Sequence, residues 1–440
     1  YSIGQFHYET DGFRENNDQE QDIYNVFAQI NLSHKTSIQA EFRYKDMEKG
    51  DLTLRFDPDF CDIDKRIQER IRSTRLGFHH AFTPHSDIIG SVIYRKGDFD
   101  THWALGDFLV DDDGYLAETQ HLFHAPRFHM TSGAGYFSAD KKIDCNYLQL
   151  DPDVRESDIR HTNFYIYSQI NYPKSLFWTI GGSADFFDGA IVDRDRFNPK
   201  LGLTWNALPG TTLRAAAFRT LKRTLISSQT LEPTQVAGFN QFFDDPEGTE
   251  SWRCGVGIDQ KFSPTVSGGL EFSKRKMEVP IIDTTLGVFL EPDWDDEVDR
   301  AYLYWTPRPW LALSSEYQFQ RFEREIPAQA RKGDLRTHWF PFGISLFHFS
   351  GVSARLKATY IDQSNEYTIT HPMVQMQGRD DDQYWVVDAF IRYRLPKRRG
   401  FFTLGAMNLF DEDLKYQDED PAKRVIYPER LIFARFTLTY

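Results

Sequence analysis

The side chains best equipped for chemistry in this sequence are its histidines and its runs of acid. Histidines gather at His79-His80 and at His121, His124 and His129. Imidazoles bind metal or move protons when two or more converge on one point. The spacing argues against convergence, because successive residues of a strand point to opposite faces. His79 and His80 therefore diverge, and His121 and His124 differ in parity, with His124 at a turn. We read them as polar or interfacial side chains and expect no metal site. The runs Asp111-Asp112-Asp113, Asp293–Asp299 and Asp380-Asp381-Asp382 offer oxygen donors suited to calcium, or to cations that bridge lipopolysaccharide. Solvated loop charge is the simpler account. There is no HExxH, no G-x-S-x-G and no phosphate-cradling glycine loop. We expect no catalytic residue and no cofactor, hence no enzyme.

The elements that carry these residues follow from composition and period. The 440 residues are 15% aromatic and 26% charged, with a net charge of −14 that speaks against a nucleic-acid partner. No apolar run reaches the roughly 18 residues of a membrane-crossing helix, and no basic, apolar, small-residue leader opens the sequence. Helical periodicity is scarce. With no linker and no break in composition, a single domain over residues 1–440 is expected. Cys61, Cys145 and Cys254 are too few for a disulfide scaffold. Cys61 and Cys145 fall in long acidic connections, where two free thiols are a simpler reading than a bridge.

Alternation of apolar and polar residues is the dominant signal. Ile38, Ala40, Phe42 and Tyr44 alternate with Gln39, Glu41, Arg43 and Lys45. Val352 to Tyr360 and Tyr384 to Leu395 behave likewise, and the pattern recurs about twenty times. Tight turns such as Thr83-Pro84-His85-Ser86, Tyr172-Pro173-Lys174 and Leu208-Pro209-Gly210 alternate with long connections at Asp46–Ile71, Leu221–Glu250, Met277–Val298 and Asp411–Glu429. That is the pattern of an all-β, transmembrane, antiparallel up-and-down β-barrel in the bacterial outer membrane, with short periplasmic turns and long acidic extracellular loops. About 20 strands are expected, 18 and 22 being the neighbouring even numbers. A propeller would need a repeat of about 40 to 50 residues, and none is present. Aromatics near strand ends (Trp178, Trp205, Trp252, Trp305, Trp310, Tyr393) fit interfacial girdles. Cys254, Val256 and Ile258 are expected to face lipid.

Charge divides by face. The polar faces carry Arg43, Lys45, Arg75, Lys200, Arg214, Arg253, Arg275, Arg355, Lys357, Arg392, Arg394 and Arg435, against Glu41, Asp185, Asp259, Glu271, Glu316 and Asp388. Internal salt bridges would absorb some of these cations. The surplus predicts a cationic lumen, which favours anions, while the acid is expected in the loops. Ile432, Ala434, Phe436, Leu438 and Tyr440 share the opposite, apolar face of the last strand, which is expected to face lipid and to close the barrel against the first.

The stretch Gly405-Ala406-Met407-Asn408-Leu409-Phe410-Asp411, then Tyr416-Gln417, Pro428-Glu429-Arg430 and the aromatic end, resembles the C-terminal signature of TonB-dependent receptors. The loop Ser228–Gln241 is similar to that of receptor-like barrels attached to periplasmic tetratricopeptide repeats. The resemblance implies contact with outer-membrane lipid and lipopolysaccharide. It implies that Phe436, Leu438 and Tyr440 are read by the barrel-assembly machinery, and that a periplasmic repeat domain or protein is a partner. Strand patterning begins within the first residues, where the family has a plug, so a barrel without a plug is expected. The resulting expectation is a porin-like or exporter-like channel for a polar, anionic solute or an exopolysaccharide. The barrel of a TonB-dependent importer and a non-conducting structural anchor are the alternatives.

Overall fold

A computed structural model describes all residues except 58–60, 105, 148–152, 224–228, 284–287, 327–330, 372–373, 419–425 and 439–440. Its first eleven strands are β1 (Ser2–Thr10), β2 (Gln19–Asn31), β3 (Thr36–Lys49), β4 (Arg66–Thr83), β5 (Ser86–Trp103), β6 (Gly106–Ala125), β7 (Phe128–Tyr147), β8 (Asp153–Asn171), β9 (Leu176–Asp188), β10 (Asp193–Leu208) and β11 (Thr211–Leu221). A short hairpin, β12 (Gln235–Val236) and β13 (Phe239–Asn240), precedes β14 (Glu250–Ser263) and β15 (Val266–Glu278). A second, β16 (Ile281–Asp283) and β17 (Val288–Leu290), precedes β18 (Asp293–Arg308), β19 (Leu311–Ile326), β20 (Arg331–Phe347), β21 (Val352–His371), β22 (Val374–Arg394), β23 (Gly400–Met407) and β24 (Leu431–Leu438). Apart from the two hairpins, the strands form one 20-stranded sheet, and its neighbours are antiparallel and sequential, as in β3 with β4 or β21 with β22. This is the expected barrel.

The pleat explains which residues go where. Leu76 stands opposite Ala40 and Val92, and Val256 opposite Ala215 and Phe272. These side chains point outward, with Leu76 61% and Val256 55% exposed, which only a lipid surround makes favourable. Cys254 lies on the same outer face and is exposed, and Ile258 shares its parity. One residue along, Arg253 and Ser273 turn inward and are buried.

Two expectations need correction. The runs at Asp111, Asp293 and Asp380 lie within β6, β18 and β22 rather than in loops. These strands hold 20, 16 and 21 residues, beyond the roughly 9–11 that cross a bilayer, so their hairpins project past the membrane and stay paired in water. The ladder places bases opposite acids of the first two runs: Asp111 and Asp112 face Lys142 and Lys141, and Asp295 and Asp296 face Lys276 and Arg275, while Asp380, Asp381 and Asp382 face the polar Asn365, Ser364 and Gln363. Opposite charges across a ladder stabilise it, which is why acid in the first two runs extends a strand instead of ending it. Cys145, placed in a connection by the sequence, likewise lies in a strand, β7. All three cysteines are free thiols.

Candidate functional site

The connection 222–249 leaves the top of β11 and folds back inside the barrel. Its hairpin turns at Ala237-Gly238, both with positive φ (47° and 90°), a conformation that glycine adopts without penalty. Val236 and Phe239 are 0% and 1% exposed and pack against Tyr165, Tyr167, Ala216 and Phe218 of the inner wall. Glycines make room for them. A Cβ on Gly255 would lie 2.3 Å from the Phe239 ring, and one on Gly202 would lie 2.8 Å from a Val236 methyl.

Polar contacts fix the same loop. Arg223 and Glu232, both buried, pair at 2.9 Å. Tyr167 Oη donates to Glu232 at 2.6 Å and Asn163 Nδ2 at 3.1 Å. Glu118 of β6 accepts from Thr230 Oγ1 at 2.5 Å and from the Leu231 N–H at 3.0 Å. Gln120 donates to the Leu231 carbonyl, and Arg253 donates to the Asn240 carbonyl at 3.0 Å. The Arg253 and Arg275 guanidinium groups lie 5.0 and 4.0 Å from the Phe243 ring centre. Every charge in this set has an opposite charge or a hydrogen-bonding partner, which makes its burial tolerable.

A second insertion covers the opposite wall. After β23 the Asn408–Asp418 segment turns inward, placing Leu414 and Tyr416 against Ile361, Tyr384 and Val386, with Leu54 and Ile426 in the same cluster. Gln363 and Gln417 exchange hydrogen bonds of 3.2 and 2.8 Å. The Asn408 N–H donates to Asp388 at 3.1 Å. The connection 50–65 meets this segment, the Asp418 N–H donating to the Leu54 carbonyl at 3.1 Å. Asp51 is buried and binds Arg55 at 2.9 Å. It also accepts from the Asp62 N–H at 3.2 Å and the Thr53 N–H at 3.3 Å. Burial acts to raise this carboxyl, but the guanidinium and the amides outweigh it and hold it below the usual range.

The basic residues singled out by sequence share the inner face but separate into two groups. One group is held by acids: Lys45 by Glu69 at 2.5 Å, Arg75 by Glu41 at 3.4 Å, and Arg214, near the start of β11, between Asp259 at 2.7 Å and Glu271 at 2.9 Å. Arg275 is held by Asp245 at 2.5 Å and by Asp296. Lys200 is buried and donates to the Arg219 carbonyl at 2.5 Å. Arg43 stands opposite Asn25 and Ser73. Near the short turns, β21 to β24 bring together Arg355, Lys357, Arg392, Arg394 and Arg435. Arg392 faces Ser353 and Thr403, and Thr403 also faces Arg435. Lys357 stands opposite Asp388. Arg355, Arg392, Arg394 and Arg435 are exposed.

The outer face of the last strand is apolar, with Phe436 60% and Leu438 48% exposed; Tyr440 lies outside the described residues. The inserted hairpin escaped the sequence reading. Its signal is the set of apolar residues Leu231, Val236, Phe239, Phe242 and Phe243 within a long connection.

Neither a protein-family model nor a curated protein matches the sequence. Among solved structures, the Pseudomonas aeruginosa receptor FpvA, solved with a ferric pyoverdine, superposes with a TM-score of 0.69 at 10% identity, over 93% of this chain and 63% of that one. The copper transporter OprC gives 0.70 at 11%, over 98% and 73%. The ferric citrate transporter FecA gives 0.69 at 12%, over 99% and 72%. The chain thus spans less than two thirds of FpvA. At these identities the likeness is one of fold, and the fold is that of a large outer-membrane β-barrel.

Proposed function

We propose that the chain forms the wall of an outer-membrane transporter for a polar, anionic solute or polysaccharide, and that the inserted loop gates it. The observation that carries this reading is the loop itself. Val236 and Phe239 occupy wall hollows while Arg223, Glu118 and Glu232 tie the loop down, so a solute passes only when the loop shifts. The clustered Arg355, Lys357, Arg392, Arg394 and Arg435 supply a cationic stretch towards the short turns. Confined cations raise the local concentration of anions and lower their barrier to entry. The chemistry is passage rather than catalysis. Contact with lipid and lipopolysaccharide follows from the outer face. The exposed Phe436 and Leu438 support a terminal strand read by the barrel-assembly machinery, and a periplasmic repeat domain is the partner we expect.

Reversal potentials of the purified barrel in a planar bilayer test the reading. Low conductance is expected with the loop in place, and higher, chloride-preferring conductance when residues 229–245 are replaced by a short linker. Cation preference in the opened barrel would overturn it. Uptake is the second reading, favoured by the superposition with FpvA, OprC and FecA over most of this chain. A structural anchor would conduct in neither state.

A further inference from the structure

The β6–β7 hairpin places His124 and His129 directly opposite each other. Both are exposed, both lie on the inner face near the short turns, and their Nδ1 atoms are 2.9 Å apart. The rings sit 5.2 Å apart at 63°. Sequence parity separated His121 from His124, but it could not register His129 against His124 across the Pro126-Arg127 turn. The pair is held by backbone: the His124 N–H donates to the His85 carbonyl at 2.9 Å, and the Arg127 carbonyl accepts from the Asn171 N–H at 2.9 Å.

We infer that His124 and His129 form a two-nitrogen chelate for a divalent transition metal, copper(II) first and nickel(II) next, at the mouth of the lumen near the short turns. The two imidazole donors and their spacing suit such an ion. With metal–nitrogen bonds of about 2.0–2.1 Å, donors 2.9 Å apart subtend roughly 90° at the ion. That is the angle between adjacent positions of a square-planar or tetragonal ion, whereas a tetrahedral zinc site spreads its donors to about 109° and needs them farther apart. One Nδ1 carries the proton of this hydrogen bond; its transfer to Nε2 of the same ring and a small rotation of each ring turn both Nδ1 lone pairs towards a shared ion. The Nε2–H groups then face water, and water completes the coordination. The order of divalent affinities places copper(II) highest on such nitrogen donors.

Copper(II) titration of the full barrel in detergent micelles, followed by calorimetry and electron paramagnetic resonance, tests the site. One ion per chain with a tetragonal spectrum split by two imidazole nitrogens is expected. H124Q and H129Q should each weaken binding at least about tenfold, since each removes one of the two protein donors, and leave one nitrogen in the spectrum. Heat-modifiable gel mobility confirms that both variants are folded. His7 lies with Glu20 and Asp22, their donor atoms within 4.8 Å of one another, so H7Q serves as a control and should keep the two-nitrogen signal. Equal copper binding by the H124Q/H129Q double variant overturns the inference, as does tighter binding of zinc(II) than of copper(II).

Discussion

Arg223 and Glu232 pair at 2.9 Å inside the barrel, 3% and 4% exposed, although both belong to one connection between strands. The pair fastens the loop to itself, and Glu118, Asn163 and Tyr167 fasten it to the wall. Removing Arg223 leaves Glu232 buried without the guanidinium that pairs with it, a change that destabilises by about 3–5 kcal/mol. We therefore expect Arg223→Ala to undock the loop and leave the barrel intact. Limited proteolysis should cut within residues 229–245 in the variant and not in the wild type, with heat-modifiable mobility unchanged.

Gly255 offers an independent route to the same state. Leucine there would place its Cβ 2.3 Å from the Phe239 ring, and that backbone-anchored atom cannot yield. Gly255→Leu should expel Phe239 and raise single-channel conductance. Gly4→Leu is the control, since nothing lies within 4 Å of the Cβ it would add. Equal conductance in the two variants would show that the hairpin does not block the lumen.

Selectivity should follow the cations near the short turns. Changing Arg355, Lys357, Arg392 and Arg394 to Gln is expected to move the reversal potential of the opened barrel towards cation preference. The barrel should still fold, because inner-face polar changes are tolerated better than lipid-facing ones. The same four changes in Lys45, Arg75, Arg214 and Arg275 should shift selectivity less and destabilise more, since their partner acids would be left unpaired.

Acid should release the other insertion. The Asp51 carboxyl titrates below its unfolded value when folded, so the stability it contributes is full above about pH 4 and is lost as pH falls through the lower, folded value. Proteolysis within residues 50–57 is expected to accelerate in that acid window. Asp51→Asn should be cut faster than wild type at neutral pH and lose most of the acid dependence. A wild-type rate that does not change with acid would exclude this role.

Assembly is expected to depend on the outer face of β24. Phe436→Ser should lower the yield of folded barrel in the membrane without altering the selectivity of what folds. Deletion of Tyr440 should do the same, and wild-type yield in both would remove the terminal aromatics from the recognition step.

The period-2 pattern determined the strands, their pairing order and the side of the wall on which each residue lies. Arg392, Phe436 and Cys254 all sit on the face that parity assigns. This was legible because, once neighbouring strands are in register, a strand has only two faces, and lipid accepts only one kind of side chain on the outer one. Strand ends were less legible. Asp111 and Asp380 read as loop because their cross-strand partners stand elsewhere in the sequence. What fills the barrel was decided only in three dimensions. Phe239 meets Gly255, Leu414 meets Val386, and His124 meets His129 through closures of the chain that no local period records. Burial of apolar loop residues in wall hollows, together with pairing of the charges that come with them, chose the interior. The proposed gating rests on those contacts.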